Sequence, residues 1–140
     1  MSWFACALGG LALASDVAED AKSCLEVQLA ELWRDGVRSR PIESAVLRVG
    51  ETKEVELLLY GGFEVTFRGC AGAGGTDLDL LLVDAEGNIL KRDGVRSRDP
   101  VLVVEPPTTG RYRIVAYLRA VEGAVGDKAV PVAFALTFGS

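Results

Sequence analysis

Two aspartates, Asp77 and Asp79, stand two residues apart in the run Thr76-Asp77-Leu78-Asp79-Leu80. On a strand, residues i and i+2 share a face, so both carboxylates point the same way. Calcium accepts such oxygen ligands, with Asp84, Asn88 and Asp99 as further donors. Against a calcium site, the spacing of these five is not that of an EF-hand loop and no other arrangement fixes a full shell of oxygens, so no metal site is assigned. In the structural reading, Asp77 and Asp79 accept backbone N–H groups from the glycine-rich connection before them and hold the edge of a sheet. General acid–base work would need a second motif to complete a pocket, and the sequence offers none. No catalytic or cofactor-binding residue is assigned, and the expectation is a protein that is not an enzyme.

The sequence has no histidine. That removes the usual base near neutral pH and the commonest transition-metal ligand. It also excludes a Ser-His-Asp or Cys-His arrangement within the chain. A carboxylate-dependent hydrolase is the remaining enzymatic alternative. The net charge of −5 argues against nucleic acid, which needs a basic face. The glycines Gly69, Gly72, Gly74 and Gly75 do not form a phosphate loop, since no Gly-Lys-Ser/Thr ending follows. Tyr60, Tyr112 and Tyr117 offer a possible carbohydrate face, against the reading that they pack at the edge or in the core.

The elements that position these residues are mostly strands. A chain of 140 residues, 49% apolar, suits one domain with its own core. Residues 1–14 include the apolar run Trp3–Ala14, and Ala12-Leu13-Ala14 has the small-x-small pattern of a signal-peptide cleavage site. No Lys or Arg precedes the run, so a structural N-terminal segment stands as the other reading. The run is shorter than the about 20 residues a membrane span needs, so no transmembrane span is expected. Cleavage would remove Cys6 and leave Cys24 and Cys70, the minimum for one disulfide in an oxidising compartment. Two buried free thiols are the alternative if the protein stays in the cytosol.

Residues 15–36 carry an amphipathic helical pattern, with Ala18, Ala21, Leu25, Leu29 and Leu32 near one stripe. Asp16 and Glu19 have capping-box spacing, Gly36 is the stop, and Trp33 is the expected anchor onto the sheet. From 42 to 140 the signals are those of strands. Expected strands are Ala45–Val49, Lys53–Leu59, Phe63–Arg68, Leu78–Asp84, Ile89–Arg92, Val101–Glu105, Arg111–Leu118 and Val132–Phe138. The fold class is therefore all-β, an antiparallel β-sandwich of about eight strands, jelly-roll-like, behind an N-terminal helix. Gly87 suits a left-handed position in the hairpin Asp84–Asn88, and Gly110 turns the chain into the strand that carries Tyr112. Together with Asp77 and Asp79, these three are the expected structural residues. The heptapeptide RDGVRSR occurs at 34–40 and again at 92–98, and reads as a pair of similar solvated polar turns.

The segments YGGFEVTFRGCAGAGGTDLDLLLVDAEGNILKRD and DPVLVVEPPTTGRYRIVAYL together resemble the bacterial pre-peptidase C-terminal domain family. The matching motifs are Asp77-Leu78-Asp79-Leu80, the turn Asp84–Asn88, Asp93 or Asp99, and Gly110-Arg111-Tyr112, and the resemblance covers residues 44–138. It implies a secreted β-sandwich of about eight strands, here without a peptidase domain and with an added helix. The expected function is that of a non-enzymatic, periplasmic or secreted module that binds or stabilises an extracytoplasmic protein. A calcium- or glycan-binding accessory module, with a surface glycan as partner, is the alternative.

Overall fold

The computed structural model describes residues 20–121 and 129–139. The export-signal run, Cys6, Asp16 and Glu19 lie outside the described residues. Helix α1 covers 20–34. Nine strands follow among the described residues: β1 (Arg38–Ser39), β2 (Glu43–Leu47), β3 (Thr52–Leu59), β4 (Val65–Ala71), β5 (Gly75–Val83), β6 (Ile89–Arg92), β7 (Val101–Val104), β8 (Gly110–Val121) and β9 (Val130–Phe138). They form two antiparallel sheets. In the first, β9 is flanked by β4 on one edge and by β1 and β2 in succession on the other, with β7 beyond β4. The second has the order β3-β8-β5-β6. The chain crosses between sheets at most connections, as in a jelly roll.

Strict alternation places the core. Leu78, Leu80 and Leu82 of β5 face inward against Tyr112, Ile114, Ala116 and Leu118 of β8. Phe67 of β4 and Val132, Phe134 and Leu136 of β9 meet them from the opposite sheet. Strand β9 is apolar on its other face too, because α1 covers it. Ala21 and Leu25 of α1 bury against Cys70, Ala133 and Ala135, which are small enough to let the helix come close. A disulfide between Cys24 and Cys70 fixes the contact, with Cα atoms 6.3 Å apart. Asp20 adds a polar tie, accepting the Ala73 N–H at 2.8 Å.

Several expectations are corrected. Trp33 does not anchor the helix; it is exposed, and the Arg38 guanidinium stacks on it at 3.6 Å. The glycine-rich connection shrinks to residues 72–74, because β4 runs on through Gly69 to Ala71 and β5 starts at Gly75. These glycines serve packing. A Cβ at Gly75 would lie 2.7 Å from the Ala71 Cβ, and one at Gly72 would lie 2.6 Å from Pro131. Gly87 has the expected left-handed φ of 89°. At Gly110 a Cβ would meet nothing, whereas at Gly61 it would strike the Thr108 backbone at 2.8 Å.

The two RDGVRSR copies are not similar turns. In the first, Gly36 closes the helix with φ 90°, and Arg38–Ser39 form β1 against Phe138 and Thr137. The second continues the outer edges of both sheets at once. Asp93 N–H donates to Leu80 O at 3.0 Å, and Leu78 N–H donates to Ser97 O at 2.8 Å. Ala71 N–H donates to Arg98 O at 2.7 Å, while the Arg98 guanidinium donates to Ala71 O. This copy seals one seam of the sandwich.

Closing a loop of 46 residues contributes about 4 kcal/mol on the chain-entropy model. Replacing the pair by Cys24→Ser and Cys70→Ala should lower unfolding free energy in urea by a comparable amount. Equal stability of the oxidised wild type and the double variant would contradict this.

Candidate functional site

The DLDL carboxylates sit on the outer face of the second sheet, where two compensating irregularities shift the β5–β8 register around Asp77. Asp79 is 2% exposed and holds two arginines on one oxygen. Its Oδ2 accepts from Arg92 Nη2 at 3.3 Å and from Arg119 Nη1 at 3.4 Å. These partners are guanidinium groups, in place of the glycine-rich-loop amides that the sequence leads one to expect. Arg92 comes from β6 and Arg119 from β8, so the cluster needs the finished sheet. Asp77, beside it, has a buried Oδ1 without a hydrogen-bond partner. Desolvation raises its pKa first, and the neighbouring Asp79 charge adds to this, while the Ser97 backbone N–H acts in the opposite sense.

The other calcium candidates serve turns. Asp84 Oδ1 accepts the backbone N–H groups of Asn88 at 2.8 Å and Glu86 at 3.0 Å, and its Oδ2 accepts the Asn88 amide. Those bonds lower its pKa. Asp99 accepts the Ser97 hydroxyl at 2.6 Å. Among the described residues, no three acidic or cysteine side chains converge as a metal site. Tyr112 is buried and donates its hydroxyl to Thr108 O, which fixes the approach to β8.

A different feature has the character of a binding surface. The seam opposite the second RDGVRSR copy lies between the β1–β2 edge and β3. A turn at 48–51 closes one end of it, where Glu51 N–H donates to Arg48 O at 3.0 Å. Toward the other end it opens into two adjoining cavities. The smaller, about 200 Å³, reaches Phe67, Ile114 and Phe134 of the core between Glu43 and Val55. The larger, about 380 Å³, is lined by Leu58, Tyr60, Phe63, Val65 and Phe138. Arg40 and Leu136 border both. Among the described residues the Arg40 side chain has no hydrogen-bond or ion-pair partner.

Leu58, Tyr60, Phe63 and Phe138 are all exposed, and Phe63 reaches 69%. One exposed aromatic is ordinary; four large apolar side chains around one cavity mark an interaction surface. Sequence reasoning noted Tyr60 alone. Phe63, the first residue of the expected strand Phe63–Arg68, lies instead ahead of β4, just beyond the turn at Gly62, whose φ is 81°.

No known family profile matches the chain, and no curated protein matches it. Solved structures do. A periplasmic lysozyme inhibitor of g-type lysozyme from Aeromonas hydrophila matches with TM-score 0.50 and 15% identity, covering 73% of this chain and 87% of the inhibitor. The pre-peptidase C-terminal domain of a Bacillus anthracis collagenase matches with TM-score 0.49 and 10% identity, covering 69% and 87%. A carbohydrate-binding module solved with calcium and xylotriose gives TM-score 0.37 at 15% identity, covering 76% and 95%. At these identities the likeness is one of fold. Among the described residues, no helix is long and apolar enough to cross a membrane.

The Asp77 carboxyl fixes a sign for pH dependence. Its folded pKa is raised above 3.8, so its stabilising contribution is full below that value and is lost as pH rises through the folded pKa. Asp77→Asn should therefore be more stable than wild type at neutral pH, with the advantage vanishing in acid. Asp79→Ala leaves two half-exposed guanidinium groups unpaired and should cost about 1–3 kcal/mol. Urea titrations at a series of pH values check both. A neutral-pH loss in Asp77→Asn would contradict the assignment.

Proposed function

We propose that this chain is a non-enzymatic β-sandwich module of the periplasm or the secreted space that holds an extracytoplasmic protein at the aromatic rim of its open seam. The observation that carries this reading is the cluster of Leu58, Tyr60, Phe63 and Phe138 around the larger cavity. Aromatic residues supply large contact area at low entropic cost and are enriched where proteins meet. The disulfide supports an oxidising compartment. Asp79 is committed to two arginines and Asp84 to its turn. Membership of the pre-peptidase C-terminal domain family belongs to the same proposal and rests on the DLDL, D-x-x-G-N and G-x-Y segments.

The inhibitor among the fold neighbours makes a g-type lysozyme the first partner to try. Exported proteins of the source organism follow, each purified again before it is scored. Phe63→Asp, at an exposed position, should leave folding intact and weaken the partner's binding at least about tenfold, as at a contact that dominates an interface. A partner bound equally by wild type and Phe63→Asp would overturn the assignment of the surface. A saturable glycan that binds through Tyr60 would replace the protein partner.

A further inference from the structure

We infer that the open seam takes its partner as an extended polypeptide segment, added as a strand along the free edge of β3. This rests on the binding reading above and names how the same surface is used. Strand β3 is eight residues long and, among the described residues, pairs with β8 alone. Its register follows from the pair Glu51–Leu118, where Leu118 N–H donates to Glu51 O at 3.2 Å. Hydrogen bonding alternates along an antiparallel ladder, so odd-numbered residues of β3 bond to β8. The N–H and C=O groups of Glu54, Glu56 and Leu58 therefore point away from the sheet into the open seam. Among the described residues these strand groups are unpaired and lie beside two cavities, the arrangement in which a peptide gains main-chain bonds from the edge and selectivity from pockets.

The chemistry of the segment follows from what lines the seam. Each cavity is largely apolar and would take an apolar side chain. Arg40, unpartnered among the described residues, stands where the cavities adjoin and calls for an acidic residue between those side chains. Glu43 borders the smaller cavity and Glu64 the larger, which disfavours a uniformly acidic segment. A second copy of this chain fits poorly. The same-face antiparallel registers that overlap β3 most fully set Glu54 opposite Glu56, or Glu56 opposite itself. Like charges directly opposed destabilise a strand pair. At the opposite seam the edge strands β6 and β7 are only four residues long, Asp93, Ser97 and Arg98 bond to β5 and β4 where β6 and β7 stop, and Lys91 donates to Val103 O.

The test uses the oxidised protein and displayed linear peptides of about twelve residues, enough to span β3. Selected peptides should alternate apolar residues around an Asp or Glu, and on binding should protect the N–H groups of Glu54, Glu56 and Leu58 from exchange. Glu56→Pro removes one outward N–H while leaving the β8 ladder whole, and should weaken binding at least tenfold. N-methylation of the peptide at alternate residues leaves the protein untouched: one alternate set should abolish binding and the other should not. Peptides that bind without protecting those amides, or bind equally to Glu56→Pro and with either N-methyl set, would overturn strand addition. Loss of binding in Phe63→Asp alone would keep the partner-binding surface and remove the strand mode; indifference to both variants would remove both. Failure to enrich any peptide, or a concentration-dependent dimer that protects the same amides, would also overturn it.

Discussion

Strand β9 has an apolar layer on each face, and most of the architecture follows from that constraint. Its inward residues Val130, Val132, Phe134 and Leu136 fill the space between the sheets, and its outward Ala133 and Ala135 lie under the helix. A sheet covered on both sides must be apolar on both sides, and here only small residues leave room for a helix. Cys70 on the adjoining strand belongs to the same small-residue face and anchors the helix covalently. The helix is therefore part of the fold's cover, held by packing, by the Asp20–Ala73 bond and by the disulfide.

The same cover produces asymmetry. Chain emerging from the helix joins the edge of β9 twice, as β1 and β2, and between them the residues around Arg40 and Pro41 leave a gap that opens onto the core. Across the sandwich, the second heptapeptide bonds to both sheets. Identical seven-residue sequences thus take opposite roles. One follows a helix and is drawn to a strand edge; the other runs on from the end of β6 and bridges the edges of two sheets at the surface. Context decides, because the polar heptapeptide carries little preference of its own.

Alternation made the sandwich legible in the sequence. Leu78, Leu80 and Leu82 read as one face of a strand and are, and the helical stripe through Ala21 and Leu25 is the buried one. The strand limits around Cys70 were not legible, since glycine in the sequence signals a turn, while Gly69 and Gly75 serve close packing inside strands. The partners of Asp79 were equally hidden. Arg92 and Arg119 arrive from 13 and 40 residues away, and only the finished sheet brings them together. The aromatic rim is not legible because Phe63 and Phe138 read as strand residues, whereas Phe63 lies in the connection between β3 and β4 and Phe138 is the exposed last residue of β9.

The account turns on the claim that the open seam, and not the sealed one, meets the partner. Leu58 beside the open seam and Val95 in the sealing loop are both exposed apolar residues, which makes them matched positions. A photo-crosslinking amino acid placed at each in turn, in cells that export the protein, tests the claim directly. The account predicts a discrete adduct from position 58 and none from position 95. Adducts from both positions alike, or from 95 alone, would contradict it.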